Sequence, residues 1–279
     1  MRRIHAFEFN DSDWVPEVIR ESIVETLGRG LRWGRIYDGV APSFRELLGA
    51  WGDDSVLDLG TGTGEPVSIL IRALERLGVT PPRFLLSDLH PNVAAMELIR
   101  RRHPNSIAIA VDPIDATSVP PSLDQPARML VDALHHLTPQ AAARVLTDAA
   151  RSGRAIFVLE GFPRSFVRFL PVLVPMALSV FANPLLAPRR RLLKAFLTYV
   201  IPVVPLAGLW DAVVSLLRVY SESELRAFVA GCDSSAHVWH YREIPFGMGL
   251  GRAVAFWGVP VEATEKASVE STRPEEVRT

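Results

Sequence analysis

The chain has 279 residues, 48% hydrophobic and 22% charged, which suits one large globular domain or two small ones and excludes a wholly disordered chain. Its 30 Lys and Arg against 31 Asp and Glu leave a net charge of -1, which argues against a chain-wide electrostatic grip on nucleic acid. A single cysteine, Cys232, excludes an internal disulfide framework and any Cys-rich zinc or iron–sulfur site, and it fits a reducing, cytoplasmic setting.

No apolar run follows Arg2 and Arg3, so no signal peptide is expected. Residues 1–50 are polar and aromatic, with Trp14, Trp33 and Tyr37, and form an N-terminal helical segment or lid. Val18, Ile19, Ile23, Val24 and Leu27 keep close to an i, i+4 spacing and predict a helix over 17–31. A second, short helix is expected over 43–48.

The next part, 51–160, alternates short apolar runs with helical patterns. Strands are expected at 55–59, 84–87, 107–111, 127–131 and 154–159, with helices at 66–77, 92–102 and 139–150. This order predicts βαβ units with right-handed crossovers and a doubly wound parallel sheet.

Residues 161–232 differ in kind. Residues 169–188 carry no charge, nor do 195–210, and Arg189, Arg190, Arg191 and Lys194 lie between them. Membrane contact, a lid over an oily substrate, a buried helical layer and a dimer interface all fit such a segment. Pro171, Pro175, Pro184 and Pro188 interrupt the first run, and Pro202 and Pro205 the second. They oppose spanning helices and predict several short helices forming a cap over the strand ends, with Tyr199 and Trp210 as walls and Asp211 as a polar contact. Two strands, at 237–244 and 251–259, complete a part running from 233 to 260. The remainder, 261–279, has no aromatic residue and reads as disordered.

The most informative segment is 56–64, which reads VLDLGTGTG. Asp58 precedes three glycines, Gly60, Gly62 and Gly64, evenly spaced by two at a strand end that leads into a helix. Glycines allow a tight turn and close approach of a ligand, and the helix N-terminus favours an anionic group. Dinucleotide-binding loops use a different spacing, Gly-x-Gly-x-x-Gly. Asp88 ends the next strand, where a carboxylate can take both hydroxyls of a ribose. Asp115 and Ala116 follow the third strand and can meet an adenine edge. Each acid alone reads more simply as a solvated loop residue; three at successive strand ends of one sheet point to a site.

These residues, with VDALHHL at 131–137 after the fourth strand, make the chain resemble the class I S-adenosylmethionine-dependent methyltransferases. The resemblance covers 55–160 and, by pattern, 233–260. It implies a Rossmann-like α/β sheet of seven strands, the last two a hairpin, here with an apolar helical insertion between strands five and six. It implies S-adenosylmethionine as cofactor, held by Asp58, Gly60, Thr61, Gly62, Gly64, Asp88, Leu89, Asp115, Ala116 and Asp132. Asp132 would lie near the amino-acid end of the cofactor or the transferred methyl. The chain lacks the Asn-Pro-Pro-Tyr run of many DNA methyltransferases, and no metal-binding spacing is evident.

The expected reaction is methyl transfer to a small, apolar acceptor, which requires positioning and, for a hydroxyl, a base. His135 and His136 lie just beyond Asp132 and are candidate bases, with His136 preferred because Leu134 and Leu137 read as core. Helix capping or packing is the structural alternative for either. Glu160, at the end of the fifth strand, is the third candidate, with an ion pair to Arg164 as its structural alternative. His5 and Glu8 belong to a segment able to fold over the site. No nucleic-acid partner is expected; peripheral membrane contact or a homodimer through 165–220 remains open. So do a membrane-associated enzyme acting on a lipid or quinone and a cofactor-binding protein without transfer activity.

Overall fold

The computed structural model describes residues 1–52, 54–123, 127–231, 237–246 and 249–261. Cys232, most of the 261–279 tail and part of the turn before Gly249 lie outside the described residues.

The chain opens with two helices, α1 (Glu17–Gly34) and α2 (Ala41–Trp51). Alternation follows: β1 (Ser55–Leu59), α3 (Glu65–Arg76), β2 (Arg83–Ser87), α4 (Val93–Arg102), β3 (Ile107–Ile109), β4 (Ala127–Val131), α5 (Pro139–Arg151) and β5 (Ala155–Glu160). Local chemistry sets several boundaries. Asn92 caps α4 by accepting from the Ala95 N–H at 3.1 Å. Thr138 caps α5, and Pro139 occupies the first turn, where its missing N–H is harmless.

The strands form one seven-stranded sheet in the order β3-β2-β1-β4-β5-β7-β6, where β6 is His237–Phe246 and β7 is Gly251–Pro260. The first five are parallel; β7 is antiparallel to both β5 and β6. Helices cover both faces, so the central strands read as continuous apolar runs. All six residues of β5 are buried. Phe157 and Leu159 join the core beneath α1–α4, whereas Ile156 and Val158 join the core beneath α5 and α9 (Glu222–Val229). The strand order reverses between β1 and β4, the place where open α/β sheets leave a crevice at the carboxyl ends of their strands.

The insertion departs from expectation. Its first part is one helix, α6 (Phe166–Leu186), with Pro171, Pro175 and Pro184 inside it, rather than several short helices. Tertiary packing against α1 offsets the lost backbone bonds. Phe169 and Val172 are buried, the Ser179 hydroxyl donates to the Thr26 carbonyl at 2.8 Å, and Arg29 donates to Asn183 Oδ1 at 2.8 Å. Next comes α7 (Arg191–Ala195), continued by a π-helical turn at Phe196–Val200, and then α8 (Val203–Arg218). Pro205 falls in the first turn of α8, where it costs little.

Candidate active site

The glycine loop sits at the switch point. Gly60, Gly62 and Gly64 all take positive φ, at 70°, 57° and 77°, which strains any residue with a Cβ. Space separates their roles. A Cβ on Gly64 would meet the Leu86 side chain at 2.9 Å, so this glycine serves helix–sheet packing. A Cβ on Gly62 would meet nothing within 4 Å, so this part of the loop presents bare backbone to open space. The Thr61 N–H donates to the Ser87 carbonyl at 3.0 Å and holds the loop against the end of β2.

Beneath the loop, Asp58 is buried, and neither of its carboxylate oxygens has a hydrogen-bond partner among the described residues. The Thr61 hydroxyl is likewise unpaired. Burial pushes Asp58 up to about 8, with the nearby Thr61 hydroxyl opposing and Asp88 adding to the rise. A buried carboxylate without a partner is unfavourable, and a cationic ligand group set beside it removes the penalty.

Asp88 lies one strand over. Its Oδ2 accepts from the Gly62 N–H at 2.8 Å and its Oδ1 from the His90 N–H at 2.9 Å, which fixes the carboxylate and leaves each oxygen a further lone pair. Leu89, beside it, is exposed. Asp115 is exposed after β3, its Oδ1 accepting from the Thr117 N–H and hydroxyl, both at 2.8 Å; these bonds hold it below its ordinary value. Ala116 is half-buried next to it. The Ile114 N–H donates to the Asp88 carbonyl at 2.9 Å, which ties the two acidic loops together. The row of carboxylates at successive strand ends is thus one connected rim.

Asp132, just past β4, takes positive φ (49°) and turns its carboxylate back into the protein. Gly161 N–H donates to Oδ1 at 2.7 Å, and the buried Tyr37 hydroxyl donates to Oδ2. Burial and the neighbouring Glu160 raise Asp132 to about 6, against the Tyr37 hydrogen bond. A Cβ on Gly60 would lie 3.3 Å from the Ala133 methyl, so the glycine loop abuts the segment that carries Asp132, His135 and His136.

A cavity of about 120 Å³ opens beside that segment. Ile23, Leu31, Phe162, Phe169, Val172 and Met176 form much of its wall, and Asp132, His135, His136 and Glu8 its polar end. Asp211 also lines it, but its two oxygens accept from the Phe9 and Asn10 N–H groups at 2.7 and 3.0 Å and pin the N-terminal strap. Tyr199 and Trp210 are not among the lining residues. Both are exposed; the Tyr199 hydroxyl donates to the Phe181 carbonyl, and Trp210 Nε1 to the Phe7 carbonyl at 3.0 Å. The strap itself crosses the site. Arg3 donates to the His135 and Leu137 carbonyls at 3.2 and 2.9 Å, and the Ile4 N–H donates to the Leu217 carbonyl at 3.1 Å. His5 lies outside the cavity, with Arg3 Nη2 3.5 Å from its ring.

The two histidines have different surroundings. His135 is buried, and its Nδ1 lies 2.6 Å from Glu160 Oε2, while its backbone N–H donates to Glu160 Oε1 at 3.1 Å. Glu160 therefore holds His135, not Arg164, which pairs with Glu224 at 2.9 Å. Burial, helped by the adjacent His136, pulls His135 down, and burial drives Glu160 up. This shift favours the neutral imidazole, whose Nδ1 faces Glu160. His136 is half-buried, with Nδ1 3.0 Å from Asp11 Oδ2 and 3.6 Å from Glu8. Burial opposes its charge, but Asp11 and Glu8 outweigh that and raise its pKa. The two candidate bases thus carry opposite shifts: burial lowers His135, and Asp11 and Glu8 raise His136. Arg218 closes this cluster, 3.2 Å from Glu8 Oε1 and 3.0 Å from Asp11 Oδ2. Glu8, His135 and His136 each offer a ligand atom within 4.8 Å of one another, but a dication there would face the Arg218 guanidinium.

Sequence reasoning did not find Tyr37, Asp11 or Arg218. No local pattern marks them; Tyr37 is 95 residues from Asp132, and Asp11 is 125 from His136.

No family model matches the chain, and no curated protein does. Solved structures do. An O-methyltransferase of Nostoc punctiforme, so named, superposes with a TM-score of 0.51 at 12% identity, covering 92% of this chain and 64% of its own. The O-methyltransferase NcsB1 of neocarzinostatin biosynthesis, solved with S-adenosylmethionine and 2-hydroxy-5-methyl naphthoic acid, superposes at 0.50 and 14% identity, covering 88% and 59%. The chain spans less than two thirds of the length of either. At these identities the likeness is one of fold: a Rossmann-like, seven-stranded sheet with a terminal hairpin, here carrying a helical insertion between β5 and β6.

Proposed function

We propose, from the premise that this chain has the fold of the class I methyltransferases, that it transfers a methyl group from S-adenosylmethionine to a hydroxyl oxygen of a small, apolar acceptor. The supporting observation is the juxtaposition of two half-sites. An open glycine loop with an unpaired buried carboxylate abuts the wall of an apolar cavity that ends in a His–Glu pair.

The residues present fit the cofactor. Asp58 and Thr61 are buried polar groups whose side chains have no partners among the described residues, suited to the cationic amino-acid end. Gly62 gives the backbone access, and Asp88 is fixed with lone pairs to spare for ribose hydroxyls. When bound, the cofactor supplies a sulfonium methyl, an electrophile open to in-line displacement.

The protein's own work is placement and proton removal. The apolar wall and the strap exclude water from the cavity. His135 would accept the acceptor's hydroxyl proton at Nε2, leaving the oxygen a nucleophile for the methyl group that the bound cofactor would supply. Glu160 holds the ring through Nδ1 and, once ionised, balances the imidazolium produced. Asp132 is a positioning residue, locked by Tyr37 and Gly161.

Calorimetric titration with S-adenosylmethionine and S-adenosylhomocysteine, followed by labelled-methyl transfer to a panel of apolar alcohols and phenols, tests the reading. Binding of both and transfer to oxygen, lost in His135→Ala, supports it. Binding of NAD with no binding of either sulfur ligand overturns it. Cofactor binding with transfer to no acceptor favours a binding protein without activity.

A further inference from the structure

The cap is built inside out. Along α7 and the π-helical turn that continues it, Leu192, Leu193, Phe196, Tyr199 and Val200 follow an i, i+1, i+4, i+7, i+8 pattern, and all are exposed, Leu192 at 88%. The buried side of the same helix carries Lys194 and Thr198. The Lys194 ammonium is fully buried, 2.8 Å from both oxygens of Glu25 and 3.7 Å from Glu21, on α1. The pattern continues along α6. Val167, Leu170, Val174, Leu178, Phe181 and Leu185 face outward, while Ser179 and Asn183 turn inward to α1. A helix in water does the reverse. Polar groups paired inward and apolar groups turned outward mark a helix whose outer surroundings are apolar.

Charge identifies those surroundings. No Asp or Glu occurs between Glu160 and Asp211, a stretch that holds six basic residues. Arg189 and Arg191, exposed at the tip of the cap, have no ion pair among the described residues. A second copy docked by a two-fold axis would bring Arg189 and Arg191 close to their own images, while the nearby acids Glu17 and Glu21 of α1 are already paired with Arg190. An anionic lipid surface is complementary to it: apolar side chains enter the acyl boundary while arginines meet the headgroups. The cap does not cross the bilayer. Although α6 is long and apolar enough to do so, it packs along α1, whose Arg20, Glu21, Glu25 and Arg29 would be carried into hydrocarbon with it.

We infer that the outer face of α6 and the Leu192–Val200 tip seat the protein on an anionic membrane surface, as an interfacial rather than a spanning contact. The inference rests on the proposed transferase reading only for its consequence. The cavity wall includes Val180 and Gly208, whose chain neighbours Phe181 and Leu209 face out on the cap. The acceptor class that follows is an amphiphile partitioned in the membrane, presenting a hydroxyl to His135.

Flotation of the full chain with vesicles tests this. Vesicles of phosphatidylcholine with about 30% phosphatidylglycerol should carry the protein upward, and pure phosphatidylcholine vesicles should carry less of it. Leu192→Asp/Phe196→Asp/Val200→Asp should lower the bound fraction by about tenfold or more. Arg189→Glu/Arg191→Glu, which leaves the apolar face intact, should lower binding to the anionic vesicles alone. Circular dichroism and S-adenosylhomocysteine titration on the same variants report folding and the cofactor site separately, so failure of docking and failure of the transferase reading are distinct results. Wild-type protein that stays at the bottom with both vesicle types overturns the inference. So does sedimentation showing a dimer that the aspartate variant splits, without vesicle binding by either form.

Discussion

The sheet and the cap obey the same physics in opposite directions. In the sheet, all six residues of β5 are buried and both of its faces are covered by helices. In the cap, the buried positions include Lys194, Thr198, Ser179 and Asn183, and the exposed ones include many Leu, Val and Phe. Lys194 and Ser179 in the cap find polar partners, Asp58 in the sheet has none among the described residues, and apolar groups leave water wherever a covering surface exists. The sheet supplies that surface from its own helices; the cap lacks it. The site lies where the two meet, with rigid strand ends providing the carboxylate rim and His135, and the cap and strap providing the apolar wall.

The largest expected effect falls at that junction. His135→Ala should lower turnover by about 10²–10⁴-fold while leaving S-adenosylhomocysteine affinity unchanged, and His136→Ala should cost less than about tenfold. Equal losses in the two variants, measured with the acceptor found in the transfer screen, would show that His135, buried against Glu160, has no role that His136 beside Asp11 lacks.

The next effect tests the inverted packing. Glu25→Gln leaves the Lys194 ammonium buried with only Glu21, at 3.7 Å, to balance it. It should cost about 2–3 kcal/mol in chemical denaturation, somewhat below the usual loss for breaking a buried pair because Glu21 remains. Lys194→Met should cost less, since Glu25 is partly exposed and can be solvated. The opposite ranking would show that the pair is not held inward as the structure has it.

On the sheet side, Asp58 predicts a pH dependence. Its folded pKa of about 8 lies above the ordinary value of 3.8, so the folded chain keeps a proton that the unfolded chain gives up. Its contribution to stability is present below the unfolded value and is lost as the pH rises through the folded one; Glu160, raised by burial, acts in the same sense. The melting temperature of the ligand-free protein should fall between about pH 5 and 8, each pKa unit being worth about 1.4 kcal/mol, or about 2–4 °C. Asp58→Asn should flatten that slope, and S-adenosylmethionine should bind wild type with proton release, read from calorimetry in buffers of different ionisation enthalpy. The smallest effect is local. Asn92→Ala removes the cap of α4 and should cost about 1 kcal/mol in denaturation, with cofactor binding unchanged.

What was legible in the sequence was what neighbours along the chain decide. Ser55–Leu59 and Ala127–Val131 are strands at the expected bounds, and Gly60, Gly62 and Gly64 form the expected turn, because apolar runs and glycine spacing act within a few residues. The expected carboxylates stand at successive strand ends because a parallel sheet aligns them. Tertiary structure decided the rest. Three prolines were a poor guide to α6, since packing on α1 outweighs the backbone bonds they remove. His135 and His136 are adjacent and chemically identical in the sequence; only folding buries one against Glu160 and sets the other beside Asp11. Tyr37, Asp11 and Arg218 reach the site from segments distant in the chain, a separation that no spacing rule records. The sequence by itself determined the sheet, the glycine loop and the apolar character of the insertion. Which way that insertion faces, and which histidine is buried against Glu160, depended on burial, and burial exists only once distant segments have come together.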